Sequence, residues 1–306
     1  MARAVQFDRY GGVDELYIAQ VEIPEPEPGQ VVVAVRAASV NPGESSIRQG
    51  YLEARYPTTF PCGEGSDLAG VITAVGAGVA DYEVGDEVLG WTDLRASHAD
   101  YVAVPVGQVL RKPPTMSWPV AGSLFVIGTT AYASVRAVGA GSGDTVVVSA
   151  AAGGVGSVTV QLLKARGADV ISIASSTHHD WLTSVGVTPV AYGDGLAERI
   201  RKAAPGGVNA FIDLFGPDYV RLAVELGVPR DRINTIIAWD AAQEFGTKAE
   251  GSAAAATIEA LAEIAELVAS GRIAVPVAAT YPLDQVRDAY TELEKRHTRG
   301  KIVLIP

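Results

Sequence analysis

One stretch limits the folds open to this chain more than any other: Thr145-Val-Val-Val-Ser-Ala-Ala-Ala-Gly-Gly-Val-Gly156, then Ser157 to Gly167, then Asp169-Val-Ile-Ser-Ile-Ala-Ser175. It reads as strand, glycine turn, helix, strand, and it has about the thirty residues that a βαβ crossover needs. The helix stripe is Val155, Val158, Leu162, Leu163 and Arg166, with apolar spacing of i, i+3, i+7, i+8. A β-branched strand running into glycines at a helix N-terminus offers free backbone N–H groups and the positive end of the helix dipole. That combination suits the pyrophosphate of a nicotinamide or flavin dinucleotide. The match to the G-x-G-x-x-G fingerprint is incomplete, because Ala151 stands at the first glycine position before Gly153 and Gly156.

Composition narrows the function classes. With 306 residues, 48% of them hydrophobic, the chain can build two packed domains. A net charge of −11 without a basic cluster repels a polyphosphate backbone and argues against nucleic-acid binding. The N-terminal residues lack the apolar core of a signal peptide, and no run of about 18 apolar residues follows, so a cytoplasmic protein with no membrane association is expected. The single cysteine, Cys62, excludes an internal disulfide and a multi-cysteine zinc site; it reads as a small loop residue beside Pro61, with no histidine near it in sequence to make a thiolate.

Along the chain the texture changes once and changes back. Short strands at Ala4–Phe7, Leu16–Val21, Val31–Ala38, Gly70–Val75, Glu87–Gly90 and Asp100–Val104 are separated by Gly, Pro and Asp turns, without parallel βαβ order. After Pro113-Pro114 helices and strands alternate, with a third strand at Ala210–Leu214. A long helix is expected around Ala253–Ser270, its alanine run at 253–256 included by helix propensity. The tail returns to a strand near Ala274–Ala279, an amphipathic helix from Leu283 to Lys295 and a strand at Lys301–Ile305. The expected class is α/β: a β-rich domain over 1–115 completed by 272–306, around a doubly wound parallel-sheet dinucleotide domain over 116–271.

Several segments in fixed order give this chain a family likeness: Ala4-Val-Gln-Phe-Asp-Arg-Tyr-Gly-Gly12, Pro26-Glu-Pro-Gly-Gln-Val-Val-Val33, Ala38-Ser-Val-Asn-Pro-Gly-Glu44, Ser66-Asp-Leu-Ala-Gly-Val-Ile-Thr-Ala-Val-Gly76, Val84-Gly-Asp-Glu-Val-Leu-Gly90, Gly128-Thr-Thr-Ala-Tyr132 and Arg299-Gly-Lys-Ile-Val-Leu304. Together they resemble the medium-chain dehydrogenase/reductase superfamily, and within it the zinc-independent quinone oxidoreductase (zeta-crystallin-like) branch. The resemblance implies a GroES-like domain made from both chain ends, a Rossmann domain, and an active site in the cleft between them. Zinc enzymes of the superfamily carry a Cys ligand where this chain has Asn41, and Gly-His-Glu where it has Gly65-Ser66-Asp67; the four-cysteine lobe is also missing, since 91–112 contain no cysteine. No pair among His98, His178, His179 and His297 has a credible metal spacing, and ordinary surface or capping roles are expected for all four.

Loss of the ligand positions favours reduction of conjugated carbonyl compounds, whose product is a delocalised phenolate or enolate, over alcohol oxidation. The expected activity is metal-free, NADPH-dependent reduction of quinones or α,β-unsaturated carbonyl compounds. Alternatives are a tailoring or trans-acting enoyl reductase of a biosynthetic pathway, and a catalytically idle NADPH-binding sensor. By the resemblance, Asn41 lies near the nicotinamide and the substrate carbonyl. The branch often has a tyrosine where this chain has Ser46, so Tyr51 and Ser46 are the substitute donors. Glu44 is expected to pair with Arg48, four residues on. The resemblance further implies cofactor contacts at Thr130, at Gly153, Gly154, Val155 and Gly156, at Ser175, Ser176 and His178, at Tyr192 and Phe215, at Ile237 within the strand end 236–239, and at Lys301. Ser175 stands about where an NAD-specific site places an acid, roughly 20 residues beyond the glycines, and no acid follows through His179, so NADPH is expected over NADH. The resemblance further implies a homodimer, with Rossmann domains paired edge to edge through Ile233–Trp239, an apolar strand that would otherwise be an exposed pairing hazard.

Overall fold

The computed structural model describes all 306 residues. The chain opens with β1 (Ala2–Phe7), β2 (Tyr17–Val21), β3 (Gln30–Ser39), α1 (Pro42–Arg48), β4 (Cys62–Gly63), β5 (Asp67–Val75), β6 (Glu87–Trp91), β7 (Tyr101–Pro105), β8 (Val109–Arg111), α2 (Trp118–Ala121) and α3 (Leu124–Val138). It continues through β9 (Thr145–Val148), α4 (Gly154–Ala165), β10 (Asp169–Ala174), α5 (His179–Ser184), β11 (Thr188–Ala191), α6 (Leu196–Ala203), β12 (Ala210–Asp213), α7 (Pro217–Glu225), β13 (Ile233–Thr235), α8 (Trp239–Phe245) and α9 (Ile258–Ala269). β14 (Val277–Pro282), α10 (Val286–Glu294) and β15 (Lys301–Ile305) complete it. Two compact units result, one of Met1–Val126, Thr257–Ala269 and Val277–Pro306, the other of Ile127–Ala256 and Ser270–Pro276.

In the first unit β2-β1-β4 form a small antiparallel sheet, and β14-β15-β3-β5-β6-β8 run in order through a larger one, with β7 on β3. Only β14 and β15 pair in parallel, joined by α10. Alternation decides which way each strand faces: Val31, Val33 and Val35 of β3 and Leu68 and Ile72 of β5 enter one core, where each is at most 5% exposed. A second core seats Val5 and Phe7 against Val286, Ala289 and Tyr290 of α10 and Ile302 and Leu304 of β15, so the chain's last thirty residues are packed on its first ten.

The second unit is a five-stranded, all-parallel sheet in the order β11-β10-β9-β12-β13. Read by sequence rank, that is 3-2-1-4-5, the doubly wound order whose ligand crevice lies at the carboxyl ends where the order reverses, here between β9 and β12. Val158, Leu162 and Leu163 of α4 are buried as their spacing requires.

Two expectations give way here. The alanine run at 253–256 is outside the helix: α9 starts at Ile258, with Thr257 Oγ1 accepting from Ala260 N–H at 3.2 Å. Residues 252–254 form a 3₁₀ turn whose Ala254 carbonyl accepts from Arg136 Nη2 at 2.7 Å, and this tertiary bond outweighs alanine's propensity. Nor is β13 an open edge. It spans three residues, and Lys248 N–H donates to Ile233 O while Lys248 O accepts from Thr235 N–H, both at 3.0 Å. Asn234 adds a clamp to the Glu250 backbone, at 2.9 Å and 2.8 Å. The pairing hazard inferred from sequence is met by the chain itself.

Candidate active site

In the second unit the implied cofactor residues collect at the carboxyl ends of the parallel strands. The turn after β9 carries Gly153 and opens α4, whose first N–H groups, at 154–156, have no acceptor within the helix. Gly156 permits the turn: a Cβ there would lie 2.3 Å from Ala150 O and 2.7 Å from Ala151 Cα. The positive φ of the turn falls on Ala150, at 47°, one residue before the fingerprint's first position, so Ala151 is tolerated there. Ser175, Ser176 and His178 follow β10; Ser175 Oγ accepts from Thr177 Oγ1 at 3.0 Å. Tyr192, Phe215 and Ile237 follow β11, β12 and β13 and are 51%, 46% and 38% exposed, a row of apolar groups at the strand ends. Ile237 lies in the turn before α8; the strand itself has ended at Thr235. Thr130 is buried on α3.

Sequence reasoning missed the group that fixes this rim. Asp213, fully buried at the end of β12, accepts from Ser149 Oγ at 2.8 Å, Thr235 Oγ1 at 2.7 Å, Phe215 N–H at 2.9 Å and Gly216 N–H at 3.1 Å. Three adjacent strand ends are thereby tied to one carboxylate. Burial raises its pKa against the pull of those donors.

The first unit assembles the second cluster. Asn41 lies between β3 and α1 and is 4% exposed. Its Nδ2 donates to Glu44 Oε1 at 3.1 Å and Asp67 Oδ2 at 2.9 Å, and its Oδ1 accepts from Lys301 Nζ at 2.6 Å. Lys301 Nζ also donates to Val40 O at 2.9 Å. Asp67 accepts further from Ser39 Oγ at 2.6 Å and Val126 N–H at 2.8 Å. Glu44 takes Asn41 N–H at 2.8 Å, Ser66 N–H at 3.1 Å and the Tyr290 hydroxyl at 2.8 Å. Burial raises Asp67 while the Lys301 charge draws it down, and burial lowers Lys301 against the two carboxylates. Tyr290, buried beside Glu44, is held well above the usual phenol range.

Four expectations are corrected by these contacts. Both amide hydrogens of Asn41 are committed to carboxylates, so in this arrangement Asn41 is no free donor to a substrate oxygen. Lys301, placed among the cofactor contacts by the resemblance, is a buried cation bonded twice within the first unit, to Val40 O and Asn41 Oδ1. Glu44 does not pair with Arg48. Arg48, fully buried, takes Glu64 at 2.6 Å and Glu294 at 3.4 Å and lies 4.5 Å over the Tyr290 ring. His98 is not a surface residue: it is 1% exposed, and its Nε2 lies 3.1 Å from Ser39 O, which can only accept. That contact fixes the Nε2–H tautomer, and burial lowers the imidazole pKa.

Ser46 Oγ donates to Pro42 O at 3.2 Å, which leaves only its lone pairs. Tyr51 is 78% exposed with its N–H on Ser46 O at 3.0 Å; its phenol is the uncommitted donor among the three candidates. Cys62 lies in β4 and not in a loop, with burial raising its thiol. No group of three or more His, Cys, Asp or Glu side chains is placed to hold a metal ion. No helix is long and apolar enough to cross a membrane.

Comparison with known proteins decides the family. A family model described as zinc-binding dehydrogenase matches residues 124–304, and one described as alcohol dehydrogenase GroES-like domain matches 27–114. The chain belongs to the medium-chain dehydrogenase/reductase superfamily, in its quinone oxidoreductase branch. Human mitochondrial NAD(P)H oxidoreductase RTN4IP1 is 27% identical over 325 residues, covering 90% of this chain and 82% of that protein. Among solved structures, quinone oxidoreductase of Pseudomonas syringae pv. tomato superposes with a TM-score of 0.89 at 26% identity, covering 100% of both chains. That of Coxiella burnetii gives 0.88 at 27%, covering 100% of this chain and 99% of the other. The GroES-like and Rossmann architecture follows from these matches and from the two sheets described above.

Proposed function

We propose that this oxidoreductase uses NADPH without a metal to reduce quinones or α,β-unsaturated carbonyl compounds. The observation that carries the reading is the Lys301 ammonium 2.6 Å from Asn41 Oδ1. Where the zinc enzymes of the superfamily have ligands, this chain has an amide oxygen already occupied by a cation, beside Ser66. With an amide and a hydroxyl in place of a thiolate and an imidazole, and that amide oxygen already bonded to an ammonium, the residues present do not fit zinc.

The strand-end rim fits a dinucleotide better. The first N–H groups of α4 suit a pyrophosphate, and Ser175, Ser176 and Thr177 offer hydroxyls to a ribose 2′-phosphate with no acid among them. The name of the human relative, an NAD(P)H oxidoreductase, supports the nicotinamide part. NADPH supplies the hydride when bound. The chain's part is then to bind and orient, and to stabilise oxyanion charge on the reduced substrate. Tyr51 is the donor assigned to that charge, and α1, anchored at Asn41 and Glu44, carries the segment that displays it. A proton must follow each hydride, and a delocalised phenolate or enolate accepts it late from water. Homodimerisation belongs to the reading on the branch likeness alone.

The test is NADPH oxidation with a panel of simple quinones and enones, with the reduced product identified. Turnover that falls severalfold in Tyr51→Phe supports the reading. NADPH binding without turnover on any member of the panel overturns it.

A further inference from the structure

Lys301 and Asp67 are 234 residues apart in sequence, on β15 and β5, yet both act on Asn41. An ammonium can only donate and an ionised carboxylate can only accept. With Lys301 on one side of the amide and Asp67 and Glu44 on the other, one of the two flips of Asn41 satisfies every group; the other faces N–H against N–H and oxygen against oxygen. A side chain that is otherwise ambiguous by 180° has a single orientation here. The same amide is the link that joins β15 to the start of α1, because Glu44 returns from the first turn to both the Asn41 N–H and its Nδ2.

We propose that Lys301 is a positioning residue of the site: its ammonium, seated on Asn41 Oδ1 and Val40 O, selects the Asn41 flip and balances the Asp67 carboxylate, so that α1 leaves β3 in one arrangement. Its relevance to turnover rests on the reading that α1 borders the substrate. The charges around it close as follows. Asp67 comes from β5 and Glu44 from α1, and both face the ammonium electrostatically. Tyr290 of α10 is bonded to Glu44 and stays neutral, and His98, preceding β7, is neutral on Ser39 O. Arg48 and Glu64 form their own pair next to Tyr290. Lys301 is therefore the one cation available to Asp67.

Removing it makes a definite signature. In Lys301→Met the buried Asp67 has no counter-charge and takes a proton at low pH, so the cluster is neutral there and tolerable. As pH rises Asp67 ionises unpaired, which burial penalises. The wild type has no such step. In Lys301→Met/Asp67→Asn the charge is removed from both sides, and the step disappears again.

The experiment measures kcat, KM for the best quinone and for NADPH, and the melting temperature, from pH 5.5 to 9 in wild type, Lys301→Met, Lys301→Arg and the double variant, each variant's profile being read relative to wild type. The expected result is a kcat at least tenfold below wild type at pH 9 in Lys301→Met, with KM for NADPH within twofold. At pH 5.5 the deficit shrinks to threefold or less, and the double variant and Lys301→Arg are flat with pH. A flat profile in Lys301→Met, or a sloping one that persists in the double variant, overturns the proposal. The melting profiles, taken as differences from wild type so that the slope from Glu64 common to all four proteins cancels, carry the same expectation without turnover, so a wild type inactive on every quinone refutes the functional reading while the Lys301 assignment is still decided.

Discussion

The polar cluster of the second unit holds one carboxylate, Asp213, closed by two hydroxyls and two backbone N–H groups that all come from strand ends of one sheet. The cluster of the first unit holds Asp67, Glu44 and Lys301 together, with Arg48 and Glu64 adjoining, and draws them from α1, β5, β15 and the segment between β4 and β5. The former stabilises a backbone shape that a diffusible ligand can use. The latter stabilises the exit of a helix, through charges whose removal one at a time leaves a partner stranded. Neutral donors around one acid tolerate change better than paired ions do, so the two units should differ in how they fail.

The largest effect is expected where no side chain can adjust. Gly156→Val puts its first added carbon 2.3 Å from the Ala150 carbonyl, so the turn must move and NADPH binding should be lost altogether by fluorescence titration. Gly12→Ala, in the first unit with nothing within 4 Å of the added carbon, should bind as wild type. Next, Arg48→Met leaves the buried Glu64 without its donor and should cost about 1–3 kcal/mol in urea unfolding. Its counterpart in the second unit, Arg201→Met, breaks the exposed Arg201–Glu225 pair and should cost less than about 1 kcal/mol. Equal costs would erase the contrast drawn above.

A pH effect of intermediate size separates the units further. Burial outweighs Arg48 and pushes Glu64 up to about 8, from an ordinary value of 4.5. The folded state therefore holds a proton that the unfolded chain has released between those two values, and stability declines as pH rises from about 4.5 to about 8. The melting temperature of Glu64→Gln should decline less than that of wild type across this window. The same slope in both would place the titrating group elsewhere. The smallest effect concerns cofactor choice. Ser175→Asp should lower kcat/KM for NADPH about tenfold, equivalent to ~1.4 kcal/mol, and leave NADH nearly unchanged, because a carboxylate repels the 2′-phosphate.

The two clusters also differ in how far the sequence discloses them. β9, α4 and β10 follow from apolar β-branched runs, a period of 3.6 and glycines in a row, all within thirty residues, and the structure keeps them. The first-unit cluster has no such local signal. Asn41 meets Lys301 across 260 residues, and the nearest-neighbour rule that pairs Glu44 with Arg48 loses to partners from α10 and the segment before β5. His98 precedes a strand in sequence like many exposed histidines; only the packing of Ser39 and Tyr290 around it shows a neutral core group. The alanine run failed for the same reason, since Arg136 reaches it from α3. Short-range pattern reads the scaffold of the cofactor rim, while long-range charge pairing builds the cluster of the first unit.

The central claim, NADPH-dependent reduction without a metal, is tested most directly by one measurement: NADPH oxidation with the best quinone before and after exhaustive chelation, with zinc content determined on the same samples. The account predicts unchanged kcat/KM at zinc far below one equivalent per chain. Activity lost on chelation and restored by stoichiometric zinc would contradict it.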